Sequence, residues 1–202
     1  MKKQIILFVI VFIIGFGGAT FGIKKLKQIN NAKNTISYQF GDVLDSLNHV
    51  KVYYNGAISN VKGRNTIKGY NLGLKYQCVE FVKRYYYEYY HHKMPDSYGN
   101  AKSFFNKSLK DASLNKARNL MQYSNPSKSK PQVGDLLVFD GSFFNEYGHV
   151  AILSAISKNE IEIIQQNGGK NAATRLKYPL LKTSEGLWLI KNKKLLGWLR
   201  KQ

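Results

Sequence analysis

The sequence predicts an α+β domain, in which a tyrosine-rich helix meets an antiparallel sheet behind an apolar N-terminal segment. Three observations predict it. Residues 76–85 carry apolar side chains at helical spacing, residues 131–167 read as three strands joined by short turns, and residues 5–23 run without a charge.

Met1-Lys2-Lys3 precedes the uncharged run, and Lys24, Lys25 and Lys27 restore positive charge after it. The run is close to the ~20 residues that cross a bilayer, which favours an uncleaved transmembrane helix over a signal peptide. Gly17-Gly18-Ala19 keeps cleavage open as the alternative. Residues 4–23 are therefore the expected contact with a membrane, and residues 1–27 the anchor or signal segment. Lysines flank both ends almost equally, so the positive-inside rule says little about orientation. The reading adopted is a single-pass bacterial protein with its catalytic domain outside the cytoplasm. Residues 28–37 are polar and asparagine-rich and suit a tether. The domain proper is expected over residues 38–202.

The chain carries a formal charge of +19. Five lysines and no acid lie in the first 27 residues, which leaves 26 basic against 12 acidic residues, or +14, on the remainder. A surface of that sign favours anionic neighbours through non-specific attraction. No basic run interleaved with aromatics and no zinc-finger or helix-turn-helix spacing is present, which argues against a specific nucleic-acid partner. One cysteine, Cys78, excludes an internal disulfide and any multi-cysteine metal site. No pair of histidines has a metal-binding spacing, so neither a metal nor a cofactor is expected.

In Tyr76-Gln77-Cys78-Val79-Glu80-Phe81-Val82-Lys83-Arg84-Tyr85, positions 78, 81, 82 and 85 form one apolar helical face. Lys68-Gly69-Tyr70-Asn71-Leu72-Gly73 before it reads as a loop, so Cys78 falls in or next to the first turn. There, unpaired backbone N–H groups and the helix dipole stabilise a thiolate, the form that attacks a carbonyl carbon. The same groups can receive an oxyanion. Taken alone, Cys78 also fits a plain core residue.

From Pro131 the chain reads as a turn and an apolar strand ending at Asp140-Gly141, then a second strand beginning at His149. After the turn Ser157-Lys158-Asn159-Glu160, a third strand runs from Ile161 to Gln165 and ends at Gln166-Asn167-Gly168-Gly169. Short connections imply an antiparallel meander. The start of the second strand then lies beside the end of the third, and His149 should approach Gln165, Gln166 or Asn167. An amide oxygen on one ring nitrogen would leave the other free to take a proton from a thiol. His49, His91 and His92 have weaker claims, as a strand leader and as residues closing the tyrosine helix.

Four stretches together resemble the CHAP family, the cysteine, histidine-dependent amidohydrolases and peptidases, and most of all the amidase domains of glutathionylspermidine synthetase/amidases. They are Tyr76-Gln77-Cys78-Val79-Glu80-Phe81, Gly134-Asp135-Leu136-Leu137-Val138-Phe139-Asp140, Gly148-His149-Val150-Ala151-Ile152 and Ile161-Glu162-Ile163-Ile164-Gln165-Gln166-Asn167. Phe40-Gly41 and Leu195-Leu196-Gly197-Trp198 are weaker echoes. The resemblance implies a papain-like fold, with N-terminal helices packed on an antiparallel sheet. It implies an acyl-enzyme mechanism with Cys78 as nucleophile and His149 as base. The oxyanion would be held by the Cys78 backbone N–H, with Gln77 as a second candidate. Where the family commonly has a glutamate as third member this chain has Gln165, and Asn167 is the other candidate for orienting the imidazole.

The expected activity is amide hydrolysis on peptidoglycan peptides, because a basic domain outside the cytoplasm would sit against an anionic wall. Cleavage of a glutathionylspermidine-type polyamine amide is the enzymatic alternative. A CHAP-fold binding or scaffold module with weakened catalysis is the non-enzymatic one.

Overall fold

Alternation along two central strands decides the architecture. Leu136, Val138, Val150 and Ile152 join one buried apolar cluster, while Leu137, Phe139, Ala151 and Leu153 join a second. Successive side chains point to opposite faces of a strand, so both faces are covered here. That is why these strands read as unbroken apolar runs.

The structure, a computed structural model, describes residues 38–169 and 172–202. Residues 39–202 cluster as one compact unit. Two hairpins come first, β1 (Val43–Leu47) with β2 (Val50–Tyr53) and β3 (Arg64–Ile67) with β4 (Tyr70–Leu74). The helix α1 (Cys78–Tyr90) follows, then a 3-10 turn at Ala101–Phe104. Next come β5 (Ser113–Asn115), β6 (Leu120–Ser124), β7 (Leu136–Phe139), β8 (His149–Ile156) and β9 (Glu160–Ile164). The last strands are β10 (Arg175–Lys182), β11 (Trp188–Ile190) and β12 (Leu195–Arg200).

Strands β5 to β12 make one antiparallel sheet in the order β11-β10-β9-β8-β7-β12-β6-β5. Ser127, just beyond β6, exchanges backbone hydrogen bonds of 3.0 and 2.7 Å with Trp188 of the edge strand β11. The sheet therefore curls until its ends meet. The second cluster, with Trp198 at its centre and Ile161, Ile163, Leu180 and Ile190 around it, fills the inside of that curl.

The first cluster lies between the outer face and α1, whose Phe81, Val82, Tyr85 and Tyr86 are fully buried. Burying four such side chains contributes roughly 1.5–3 kcal/mol each, which anchors the helix far more firmly than its intrinsic propensity. Tyr86 spends its hydroxyl on the carbonyls of Gly134 and Leu199, both at 3.1 Å, and so ties the helix to the sheet. The helix stops where His91 takes up a left-handed conformation (φ 51, ψ 35).

This architecture corrects the α+β expectation. Among the described residues the chain is mostly β-sheet with one α-helix, and two β-hairpins precede the cysteine helix where N-terminal helices were expected. The hairpins hid because their strands are only four or five residues long, and one of them, Arg64-Asn65-Thr66-Ile67, is mostly polar. The stretch Lys68–Gly73 taken for a loop is the β3–β4 turn and most of β4. No helix among the described residues is long and apolar enough to cross a membrane. The span expected at residues 4–23 lies outside the described residues.

Candidate active site

Gln77 precedes the helix in an extended conformation (φ −82, ψ 164), and Cys78 is its first residue. The thiol is half-buried at that point. The β3–β4 hairpin packs on the first helical turn because Gly73 lets β4 come close: a Cβ on Gly73, where φ is +132, would lie 3.1 Å from the backbone nitrogen of Glu80. A larger residue would push the first helical turn away.

His149 is the first residue of β8, opposite Phe139 on β7. Its imidazole faces the Cys78 thiol closely enough for charge and hydrogen-bonding interaction between the two. On the other side its Nε2 lies 2.9 Å from Gln165 Oε1. The Gln165 amide nitrogen in turn donates to the carbonyl of Ala173 at 2.9 Å. That bond decides which end of the amide faces the ring. An amide oxygen only accepts, so Nε2 carries the hydrogen and Nδ1 is the basic nitrogen left for the thiol.

Burial pushes the Cys78 thiol up, but the imidazolium of His149, its hydrogen bond and the backbone N–H groups of Val150 and Val79 outweigh this and hold it below the ordinary thiol value. Burial pulls His149 down, yet the charge of Cys78 and hydrogen bonds to Cys78 and Gln165 leave it above the ordinary histidine value. Both shifts favour a thiolate facing an imidazolium. That is the ground state of an activated cysteine nucleophile.

The other candidates serve a different place. Asn167, in a left-handed conformation (φ 54), donates to Ile58 O at 2.9 Å and to Gln77 Oε1 at 2.6 Å. The Gln77 amide nitrogen donates to the carbonyls of Ile58 and Asn60 at 3.1 and 3.0 Å, and its backbone N–H donates to Leu74 O. Asn167 and Gln77 thus brace the loop before the helix. Gln165 is the residue whose amide meets the imidazole.

Two further residues hold the assembly in register: Gln166, which the meander allowed as a partner of His149 but which bonds elsewhere, and Glu80, not singled out from the sequence. Gln166, fully buried, accepts from the Tyr53 backbone N–H at 2.7 Å and donates to Gln77 O and Glu80 Oε2 at 3.1 and 2.9 Å. Glu80, also fully buried, receives Arg84 Nε at 2.7 Å and Asn65 Nδ2 at 2.8 Å on its other oxygen. The end of β9 is thereby fastened to the first turn of α1. The sequence signal was available: a carboxylate and an arginine four residues apart, Glu80 and Arg84, beside the apolar helix face. Among the described residues no group of three or more His, Cys, Asp or Glu is arranged to hold a metal ion.

Residues 68–167, which include Cys78, His149 and Gln165, match the CHAP domain family. This part of the chain is a CHAP domain. The chain is similar to the bifunctional glutathionylspermidine synthetase/amidase of Escherichia coli (strain K12), with 33% identity over 106 residues, 52% of this chain and 17% of that protein. The protein of the same description from Shigella flexneri gives the same figures. Trypanothione synthetase from Crithidia fasciculata is 30% identical over 95 residues, 47% of this chain and 15% of that protein. The chain thus spans about a sixth of the length of these curated relatives. Together the CHAP domain and its relatives support a cysteine amidase or peptidase in general terms.

Proposed function

We propose that this chain hydrolyses amide bonds, with Cys78 as nucleophile, His149 as general base and acid, and Gln165 as the residue that orients the imidazole. The observation that carries the reading is the chain of contacts from Cys78 through His149 to Gln165 Oε1, with both ionisable groups shifted towards the charged pair.

His149 Nδ1 takes the proton of the Cys78 thiol, and the thiolate attacks the amide carbonyl carbon. The oxyanion falls to the backbone N–H of Cys78 at the helix start, because the donors of Gln77 are engaged elsewhere. His149 then protonates the leaving amine as the C–N bond breaks, leaving a thioester. A water that gives its proton to His149 attacks this thioester, and the acid is released as the thiol is restored.

For the substrate we favour peptidoglycan peptides, met outside the cytoplasm. The net charge of +19 supports this, since it draws the domain to an anionic wall. A second reading, cleavage of a glutathionylspermidine-type amide, is favoured by the E. coli relative, whose description names an amidase.

The deciding experiment incubates the full chain with purified peptidoglycan and, separately, with glutathionylspermidine, beside a Cys78→Ala control. New amino groups released from peptidoglycan, and absent in the control, are expected. Release from glutathionylspermidine alone would move the proposal to the second reading. Release from neither substrate, with Cys78 no more reactive than free cysteine, would leave a scaffold with the fold and without the chemistry.

A further inference from the structure

The hairpin between β7 and β8, which ends at His149, carries two phenylalanines that the fold leaves in water. Phe143 and Phe144 are 96% and 95% exposed, their rings edge-to-face at 5.3 Å, and Tyr147 beside them is 60% exposed. The loop that presents them is tightly built. Ser142 and Asn145 exchange backbone hydrogen bonds of 2.8 and 3.1 Å, the Asn145 side chain donates to Gly148 O at 2.9 Å, and Lys102 N donates to Tyr147 O at 2.9 Å. Among the described residues nothing covers the rings at the tip.

The base of the hairpin is basic. Lys107 pairs with Asp140 at 2.7 Å, Asp140 N donates to Lys194 O at 2.7 Å, and Lys102, Lys193 and Lys194 are exposed around it. Within residues 140–148 the acids are Asp140, which is paired, and Glu146.

We propose that this hairpin is a membrane-docking element, which seats Phe143 and Phe144 at the headgroup–acyl boundary of an anionic bilayer while the surrounding lysines bind its phosphates. Two considerations select a bilayer over a protein partner. Three aromatic side chains at ~150–250 Å² each fall short of the about 800 Å² per partner that a stable protein interface buries. A convex tip also offers no groove, whereas a bilayer requires no complementary shape. The lysine rim matches the negative potential of an anionic leaflet, where aromatic rings and cationic side chains act together. Since the hairpin ends at His149, docking would hold the candidate active site next to the lipid surface. This inference concerns where that site is held and does not depend on the bond it cleaves.

The test uses the full chain with Phe144→Trp, because a probe in the hairpin reports this contact whatever residues 5–23 do. Vesicles of phosphatidylcholine with phosphatidylglycerol, carrying bromine on their acyl chains, should quench the new tryptophan well beyond Trp188 and Trp198 of the parent chain and shift its emission to the blue. Adding Lys193→Glu and Lys194→Glu to the probe should weaken vesicle binding by at least about thirtyfold, in keeping with the contribution of two basic residues at an anionic surface. Retained reactivity of Cys78 towards iodoacetamide verifies that each variant is folded. Absence of extra quenching overturns the proposal. Equal quenching in pure phosphatidylcholine overturns its anionic-surface part. A blue-shifted emission before vesicles are added also overturns it, since another part of the chain or a second copy would then cover the tip.

Discussion

Gln165 presents its amide oxygen to His149 Nε2 at 2.9 Å, and the hydrogen bond from its amide nitrogen to Ala173 O keeps it facing that way. A neutral acceptor orients the ring but lends the imidazolium no ionic support. Gln165→Glu should therefore raise kcat/KM, by up to about tenfold, or ~1.4 kcal/mol of transition-state stabilisation. Gln165→Ala should lower it by at least about as much. Steady-state kinetics on whichever substrate the incubation experiment reveals would check both, and no gain in the glutamate variant would count against this role.

Gly168 makes room for that amide. A Cβ there would lie 2.5 Å from Gln165 Nε2 and 2.8 Å from Oε1. The Gln165 side chain can yield where backbone could not, so Gly168→Ala should spare the fold yet cost roughly tenfold in kcat through the misplaced imidazole. Unchanged unfolding with reduced kcat is the expected pair of results.

The acidity shifts of Cys78 and His149 fix a pH window. The thiol loses its proton below the ordinary thiol range and His149 keeps its proton above the ordinary histidine range. The charged pair therefore exists between the two, and the rate of iodoacetamide labelling should rise on the acid side of the usual cysteine inflection. His149→Ala should move that inflection up, out of the lowered range, because burial is then opposed only by the backbone N–H groups of Val150 and Val79. An unshifted inflection in the parent chain would contradict the pairing.

Glu80 neutralises Arg84 inside the protein, with 0% and 6% of the respective side chains exposed. Removing one partner of such a pair leaves an uncompensated buried charge, so Glu80→Ala should cost about 3–5 kcal/mol of stability. Urea unfolding followed by circular dichroism would measure it. A cost under about 1 kcal/mol would mean that the pair contributes little beyond a surface ion pair.

Lys83 is buried beneath the carbonyls of Asn71 and Ser97, and desolvation, helped by Arg118 and Arg64, lowers its pKa to about 8 from 10.5. Between those values the unfolded chain binds more protons than the native one, so this residue makes stability increase with pH across that window. Lys83→Met should flatten the slope between pH 8 and 10 relative to the parent, in denaturant titrations at several pH values. An unchanged slope would place the ammonium in water.

The sequence exposed the parts of the molecule whose local pattern and final environment agree. Cys78 heads a helix with apolar residues at helical spacing, and the meander β7–β8–β9 follows from apolar runs separated by polar turns. The hairpins β1–β4 were illegible beyond the strand-like run after His49, because their short strands are held by partners elsewhere, such as Gln166 for Tyr53 and Glu80 for Asn65. Which amide meets His149 was open for a similar reason. Continuing the pairing of Ile152 with Ile164 would set Asn167 opposite His149, but the chain turns away at Asn167, leaving Gln165 to face the ring. No local pattern encodes that departure.

The groups that lower the Cys78 thiol are, apart from the neighbouring Val79 N–H, supplied by β8, through His149 and the Val150 N–H. A chain in which β8 has not yet come home against the helix thus holds an ordinary, sluggish sulfur. Thiol reactivity is latent in the nascent polypeptide and appears only where β8 has docked, so a half-made or locally loosened molecule carries no activated nucleophile.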